Sequence, residues 1–215
     1  METMRIVVTG TVGAGKSTFV RTFSQTTVID TERKATDDTS LMKKRTTVAF
    51  DFGTRILGRD MELQVYGTPG QSRFDFMWDL LIRRAHAYIL LVAANRSSSF
   101  NDAREIISFM NSRVQIPMII GLTCMDLPGA LGQEHVAFAL GFMNNQNRPP
   151  IVTVNPNEKT SVFESLMVLM AHQLLQSSKS KGNAALGNVG GSRQADSLKS
   201  RTKYQWPKQR FSSGL

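Results

Sequence analysis

The sequence has a single cysteine, Cys124, and aromatic residues make up only 8% of the chain. One thiol excludes an internal disulfide, and within an apolar segment it is more often a small core residue than a reactive group. The three histidines, His86, His135 and His172, are scattered without a second ligand at metal-binding spacing. We therefore expect neither a zinc site nor a catalytic histidine.

Long hydrophobic runs are absent as well. No stretch approaches the ~18 apolar residues that a membrane-spanning helix requires. The first apolar run is interrupted by Gly10, which does not fit the pattern of a secretion signal. Position 2 is not glycine, and the last four residues contain no cysteine for prenylation. We therefore expect a cytoplasmic protein whose contact with a membrane, where it occurs, is peripheral.

Acidic residues are scarce at the C-terminal end. Residues 177–215 hold eight Lys and Arg residues and one Asp, whereas residues 1–176 hold 18 basic and 16 acidic residues. A nearly neutral body argues against a broad basic face for duplex DNA. The last segment is rich in Ser, Gly, Asn and Lys, so it cannot bury enough apolar surface to become ordered. We predict one folded domain, 1–176, and a basic, disordered tail, 177–215.

Apolar, β-branched runs alternate with segments of helical period along the predicted domain. This alternation is typical of βα units that build a mostly parallel sheet. The turn at 58–60 is too short for a crossover, so the strands on either side should form an antiparallel hairpin. Strands are predicted at 5–9, 47–57, 62–66, 87–94, 118–123 and 151–155, and helices at 15–24, 72–84, 101–112, 133–143 and 162–176. The prediction is an α/β three-layer sandwich around a six-stranded, mostly parallel sheet.

Residues 10–18 read GTVGAGKST and follow the first predicted strand directly. They fit the phosphate-loop pattern G-x-x-x-x-G-K-[ST] in its required context of strand, turn and helix. Backbone N–H groups of such a loop converge on phosphate oxygens, and the helix adds its positive dipole end. Lys16 would contact the β- and γ-phosphates, and the Ser17 hydroxyl can bind Mg²⁺. The stretch predicts a nucleoside triphosphate site; the alternative is a glycine-rich turn that precedes a helix by chance.

Three further stretches read TTVAFDF at 46–52, GTPGQ at 67–71 and TCMD at 123–126. Their order and spacing resemble those of Ras-like small GTPases over residues 4–176. The hairpin strand is similar to that of Rab-type members, and GTPGQ looks most like the bacterial branch of gliding-polarity and conservon GTPases. The resemblance implies a P-loop fold and a GTP-binding switch that uses Mg²⁺, alternates between GTP and GDP, and hydrolyses GTP.

The resemblance also implies a role for each matching residue. Thr47 would complete Mg²⁺ coordination with Ser17 and would sense the γ-phosphate. Gly70 would contact the γ-phosphate through its N–H, and Gln71 would orient the attacking water, with Lys16 as the second catalytic residue. The predicted nucleotide site comprises Gly10, Thr11, Val12, Gly13, Ala14, Gly15, Lys16, Ser17, Thr18, Thr47, Gly70, Thr123 and Asp126.

Three positions depart from the family pattern. Gly67 stands where an aspartate holds a magnesium water, so we expect a weakened metal site. Cys124 replaces the lysine of [NT]-K-x-D, whose stem packs over the base, although Thr123 and Asp126 remain. Pro156 has no N–H to offer the guanine carbonyl. Asp126 still favours guanine over adenine, because adenine lacks the matching pair of donors.

The phosphate loop and the segment before Thr47 bear on the rate of hydrolysis. Val12 stands where many family members have glycine, and its bulk crowds both the glutamine and an incoming arginine. We therefore predict slow intrinsic hydrolysis. Lys44 and Arg45 could supply a positive charge in cis to the transition state; the alternative is that they are solvated loop charges.

The resemblance implies protein regulators and effectors that contact the switch loops 30–47 and 67–78, and in the bacterial branch small roadblock-type proteins. Phe74, Phe76, Met77 and Trp78 could form a partner surface or pack as core. The tail mixes basic and aromatic residues suited to anionic lipid, RNA or an acidic protein. The alternative is a solvated tail without a partner.

Two other functions compete with a hydrolysing switch. A P-loop ATPase or phosphotransferase would share the phosphate loop, but the order of the later motifs and the absence of an arginine-rich lid argue against it. A scaffold that holds nucleotide without turnover is compatible with the altered magnesium and guanine positions.

Overall fold

The computed structural model describes residues 2–24, 50–70, 75–143 and 148–186. The strands within these residues are β1 (Glu2–Gly10), β2 (Asp51–Leu57), β3 (Met61–Gly67), β4 (Ala87–Ala93), β5 (Met118–Thr123) and β6 (Ile151–Thr153). They form one sheet in the order β2-β3-β1-β4-β5-β6. β2 pairs antiparallel with β3, and every other neighbouring pair is parallel. The predicted sheet with its single hairpin is confirmed.

Helices cover both faces of this sheet. The described helices are α1 (Lys16–Phe23), α2 (Asp75–Ile82), α3 (Phe100–Asn111), α4 (Gln133–Ala139) and α5 (Lys159–Leu186), with a short 3₁₀ turn at Ser97–Ser99. One apolar cluster joins the sheet to α2, α3 and α4, and a second joins its other face to α1 and α5. The result is the predicted α/β sandwich of three layers.

The central strands show why the sheet is buried on both sides. Ile89 and Leu91 of β4 lie in the cluster with α1 and α5, whereas Tyr88, Leu90 and Val92 lie in the cluster with the other helices. All seven residues of β4 are buried. A continuous apolar run is expected for a parallel strand that is covered on both faces. The carboxyl ends of β1, β4 and β5 are thereby held at one edge of the sheet.

Several helix ends differ from the prediction. The helix predicted to reach Met143 ends at Ala139, because Gly141 adopts a positive φ of 92°. The N–H of Phe142 then bonds the carbonyl of Ala137, and the N–H of Gly141 bonds that of Phe138, which together form a Schellman cap. Helix α2 ends at Ile82, before the predicted end at residue 84, whereas its predicted start at residue 72 lies outside the described residues.

The last helix is longer than predicted. It was expected to span 162–176 but begins at Lys159 and ends at Leu186. Once a helix is anchored by packing, adding residues costs little, and the Ser- and Lys-rich stretch contains no proline to stop it. The division into a domain and a tail at residue 176 remains a prediction, since residues 187–215 lie outside the described part. No helix in the described part has the length and apolar character needed to cross a membrane.

Candidate nucleotide site

The phosphate-loop motif connects β1 to α1 at the centre of the sheet. Gly10 pairs with Leu91 of β4, and a Cβ at Gly10 would lie 2.2 Å from the carbonyl oxygen of Leu91. Gly15 has a φ of 91° and stands directly before the first helical residue. Side chains other than hydrogen are therefore strained at both positions. This is why the motif can bend sharply between a buried strand and a helix.

Lys16 lies inside this bend. Its side chain is buried, and Nζ donates hydrogen bonds to the carbonyl oxygens of Gly10 at 2.8 Å and of Thr11 at 2.7 Å. Burial lowers the pKa of Lys16 to about 8, and the Asp51 carboxylate opposes part of that decrease. Two neutral carbonyls replace water around a cation without neutralising it, so the loop retains an attraction for anions.

Gly70 approaches the same ammonium group from the other side. A Cβ on Gly70 would lie 2.7 Å from Lys16 Nζ and 3.1 Å from the Cα of Val12. The Val12 side chain is itself 58% exposed. The loop after β3 thus packs so closely against the phosphate loop that only a hydrogen atom fits at position 70. Next to this contact, the side chain of Val12 is exposed.

The two residues before Gly70 are held in place by hydrogen bonds. The N–H of Thr68 bonds the carbonyl of Val8 at 2.9 Å, and its hydroxyl bonds the hydroxyl of Thr9 at 3.0 Å. The indole N–H of Trp78 donates to the carbonyl oxygen of Pro69 at 2.7 Å. These contacts position the GTPG stretch relative to β1 and α2.

The loops after β5 and β6 border the other end of the phosphate loop. The Thr123 hydroxyl donates to the carbonyl oxygen of Ala14 at 3.1 Å. Cys124 adopts a positive φ of 57°, which is uncommon for a residue other than glycine, and Asp126 is exposed beyond it. Pro156 packs so closely that its Cγ would lie 2.8 Å from a Cβ on Gly15. Thr123 and Pro156 are therefore adjacent to the predicted phosphate site, and Asp126 belongs to the loop that Thr123 begins.

The residues present also fit a magnesium ion that accompanies a nucleotide. The exposed Ser17 lies in the first turn of α1, and the half-buried Asp51 carboxylate is close enough to Lys16 to raise its pKa. In the described part of the chain, no group of three His, Cys, Asp or Glu residues could hold a metal alone. Most ligands would have to come from phosphates and water, as Mg²⁺ prefers.

Comparison with known proteins identifies the family. A sequence model described as "Ras family" matches residues 5–152. This chain belongs to the Ras family. It is 27% identical to the Ras-related protein Rab-19 of Homo sapiens over 180 residues, which cover 80% of this chain and 75% of Rab-19. It is 26% identical to the GTP-binding protein YPT1 of Saccharomyces cerevisiae over 180 residues, or 80% of this chain and 79% of YPT1.

One further sequence relative and one solved structure also match this chain. An uncharacterized protein of Methanocaldococcus jannaschii, MJ1339, is 28% identical over 126 residues, or 59% of this chain and 73% of MJ1339. The Arl6 BBS3 small GTPase of Trypanosoma brucei, solved with the nucleotide analogue GppNp, matches with a TM-score of 0.62 at 18% identity. That match covers 81% of this chain and 99% of the trypanosomal chain. It shows that this Ras-family chain has the small-GTPase fold.

Some predicted residues of this Ras-family chain lie outside the described residues: Thr47 and Gln71, together with Lys44, Arg45 and Phe74. The structure brings Lys16, Gly70 and Thr123 together at the loop between β1 and α1, and Asp126 is exposed three residues after Thr123. Of the aromatic segment, Met77 and Trp78 are core residues, whereas Phe76 is 45% exposed.

The structure adds residues that the sequence analysis did not single out. Arg96 Nη1 donates to the carbonyl of Val12 at 3.1 Å and would lie 2.7 Å from a Cβ on Gly13. Within the described residues, two buried side-chain oxygens, Thr11 Oγ1 and Asn95 Oδ1, have no hydrogen-bond partner. Asn95 and Arg96 follow the carboxyl end of β4, where ligands of parallel sheets bind, and that placement could have identified them.

Proposed function

We propose that this Ras-family chain is a switch that binds GTP, hydrolyses it slowly to GDP and phosphate, and contacts other proteins through its switch loops. The observation that carries the proposal is the buried Lys16 ammonium between the phosphate loop and Gly70. A buried cation on a glycine-rich turn at a helix N-terminus suits a chain of phosphates. Arg96 adds a second positive charge beside Val12.

Thr123 and Asp126 supply the preference for guanine in this proposal. Thr123 holds the end of β5 against the phosphate loop through its hydrogen bond to Ala14. Asp126 follows three residues later, and its carboxylate is exposed to a ligand. A carboxylate accepts hydrogen bonds from the two adjacent N–H donors of guanine, whereas adenine does not present that pair. Cys124 lacks the length to cover the base, so binding is expected to be selective but weaker than with lysine.

Hydrolysis consists of attack by water on the γ-phosphorus. A new P–O bond forms to the water oxygen, the bond to the β–γ bridging oxygen breaks, and GDP and inorganic phosphate leave. Gln71 orients the water, while Lys16 and the backbone N–H groups of residues 10–18 stabilise the growing charge. The backbone of Val12 lies next to Gly70 and its side chain is exposed. We expect this bulk to crowd the glutamine that follows Gly70 in sequence and thereby to slow the reaction.

Mg²⁺, when bound with the nucleotide, neutralises phosphate charge. Ser17 would hold this ion from α1, and Thr47 is the proposed ligand that depends on the γ-phosphate. A segment held only when the γ-phosphate is present differs between the GTP and GDP states. That difference is the proposed signal to regulators and effectors.

Equilibrium binding tests the nucleotide assignment. We expect GTP and GDP to bind the nucleotide-free chain at least about tenfold more tightly than ATP, with Mg²⁺ strengthening both. Asp126→Asn should weaken GDP binding and strengthen binding of xanthosine diphosphate, because an amide donor then faces a carbonyl of the base. Asp102→Asn, on the exposed start of α3, is the matched control. Tighter binding of ATP would favour the ATPase or phosphotransferase reading instead.

Single-turnover phosphate release tests hydrolysis. Gln71→Leu should lower the rate by about 10- to 100-fold, because the water loses its orienting group. Gln133→Leu, at the exposed start of α4, should leave the rate unchanged. Equal rates for the native chain and Gln71→Leu would instead support a scaffold that binds nucleotide without turnover. The departures at Gly67 and Cys124 make that the second candidate.

The finer assignments concern branch, partners and location. The GTPGQ motif supports a place in the bacterial branch with a polarity or signalling role. The basic tail supports peripheral attachment of a cytoplasmic protein to anionic lipid, with RNA or an acidic protein as alternatives. Replacing Lys199, Arg201 and Lys203 by Gln in the full chain should abolish salt-sensitive sedimentation with phosphatidylserine vesicles. Unchanged sedimentation would exclude the lipid assignment.

A further inference from the structure

The glycine at position 67 has a carboxylate directly across the hairpin. Asp51, the first residue of β2, pairs with Gly67, the last residue of β3. A Cβ placed on Gly67 would lie 3.1 Å from the Cβ of Asp51 and 3.3 Å from its Oδ2. The Asp51 side chain therefore already fills the space into which a side chain at position 67 would project.

That space borders α1, and the carboxylate that fills it acts on Lys16. The same Cβ on Gly67 would lie 3.2 Å from Cγ2 of Val20 in α1, the helix that begins with Lys16 and Ser17. The Asp51 carboxylate is near enough to Lys16 to oppose the effect of burial on its pKa. It thus lies between the end of β3 and the first turns of α1.

The Asp51 carboxylate forms no close ion pair within the described residues, although it acts on the Lys16 ammonium from a greater distance. The ion pairs described there involve Asp79 with two arginines and Glu134 with Arg148. A half-buried carboxylate beside a site for several phosphate charges is repelled by the ligand unless a cation lies between them. The chemistry of this position calls for a divalent cation that arrives with the nucleotide.

We propose that Asp51 holds the hydration shell of the divalent cation bound with the nucleotide, so that a carboxylate on β2 performs this task at a site where β3 offers only Gly67. This assignment rests on the proposed function, because the cation requires a bound nucleotide. Mg²⁺ keeps several waters when it binds with phosphates, and carboxylates that accept hydrogen bonds from such waters strengthen binding. Asp51 is a positioning residue and does not touch the reacting atoms.

Measuring GDP release against free Mg²⁺ tests the assignment. Fluorescent GDP is displaced from the full chain in buffers that range from EDTA to saturating Mg²⁺. Asp51→Asn should raise the Mg²⁺ concentration for half-maximal retention by about 10- to 100-fold, as loss of an outer-shell carboxylate does elsewhere. In EDTA the same variant should hold GDP as tightly as the native chain or more tightly, because a repelling charge is gone.

The control is Asp60→Asn, a neutralised carboxylate in the exposed turn at the far end of the same hairpin. It should match the native chain at every Mg²⁺ concentration. A second variant, Asp51→Gly combined with Gly67→Asp, moves the carboxylate across the strand pair. It should recover at least half of the Mg²⁺ response on a logarithmic scale, whereas Asp51→Gly alone should not.

Two results would overturn the assignment while leaving the GTPase proposal intact. One is an unchanged half-maximal Mg²⁺ concentration in Asp51→Asn. The other is weaker GDP binding by the same factor in EDTA and in Mg²⁺, which would show that Asp51 only supports the fold. Failure of the native chain to retain GDP at any Mg²⁺ concentration would remove the proposed function and this inference together.

Discussion

The hydroxyl of Thr123 donates a hydrogen bond to the carbonyl oxygen of Ala14 at 3.1 Å and lies 3.4 Å from that of Val92. These three residues are far apart in sequence but join β5, β4 and the phosphate loop. Because Thr123 is 1% exposed, no water replaces the hydroxyl when it is removed. The base side of the site and its phosphate side are thus connected by one side chain.

Replacing that hydroxyl should weaken nucleotide binding. Thr123→Val keeps the volume but leaves the Ala14 carbonyl without its donor, which costs about 1–3 kcal/mol of stability. GDP affinity should fall about tenfold as the phosphate loop loses its support. In the control, Thr54→Val removes the bond to Glu62 in the hairpin and should leave GDP affinity unchanged. A similar loss of affinity in both variants would contradict a specific role for Thr123.

The buried Lys16 should make ligand-free stability depend on pH. Its pKa is about 8 in the folded protein and 10.5 in an unfolded chain, so between these values the unfolded chain binds more protons. Stability should therefore rise with pH across that window, by about 1–3 kcal/mol from this group. Urea unfolding in EDTA at about pH 7 and pH 10 measures the rise. Lys16→Met should lack it, whereas Lys159→Met, at the exposed start of α5, should retain it.

Gly70 should not tolerate even one methyl group. In Gly70→Ala the new Cβ would lie 2.7 Å from Lys16 Nζ, so either the ammonium or the loop must move. We expect GTP affinity to fall at least about tenfold, with a smaller effect on GDP. Gly132→Ala is the control, because a Cβ there meets nothing within 4 Å and the backbone φ is −66°. Equal GTP affinity in Gly70→Ala and the native chain would show that the loop yields without cost.

Removing the Val12 side chain should accelerate hydrolysis. Val12→Gly frees space beside Gly70, where Gln71 and its water are proposed to act, and we expect a single-turnover rate about tenfold higher. Ile56→Ala trims a comparably exposed side chain of β2 and should not change the rate. A rate for Val12→Gly no faster than that of the native chain counts against crowding as the cause of slow turnover.

A lysine at position 124 should tighten guanine binding. Cys124→Lys supplies a long aliphatic stem beside Thr123 and Asp126, and covering one face of the base should lower the GDP dissociation constant by about tenfold. Leu127→Lys adds the same charge at a position 44% exposed in the same loop and controls for general electrostatic attraction. Equal gains in the two variants would assign the effect to charge alone.

Much of the fold could be predicted from local patterns. A short apolar run such as 118–123 predicts a buried strand, and the structure has one there. The three-residue turn at 58–60 is too short for a crossover and therefore predicts the hairpin that is observed. Helix ends were less predictable, because Gly141 stops α4 through its own conformation while α5 passes the Ser- and Lys-rich boundary at 176. Capping and extension compete within a few tenths of a kcal/mol to about 1 kcal/mol, which composition does not resolve.

Sequence alone determined the phosphate loop, because glycines, a lysine and a serine at set spacing after a strand specify a local structure that needs no distant partner. Only the tertiary structure showed that Asp51 pairs with Gly67 across the hairpin, and that Arg96 and Thr123 donate hydrogen bonds to the carbonyl groups of Val12 and Ala14. Each of these pairs is set by strand order and register, and register depends on how the whole sheet packs. The local sequence therefore specifies the phosphate loop, whereas long-range packing determines which side chains surround it.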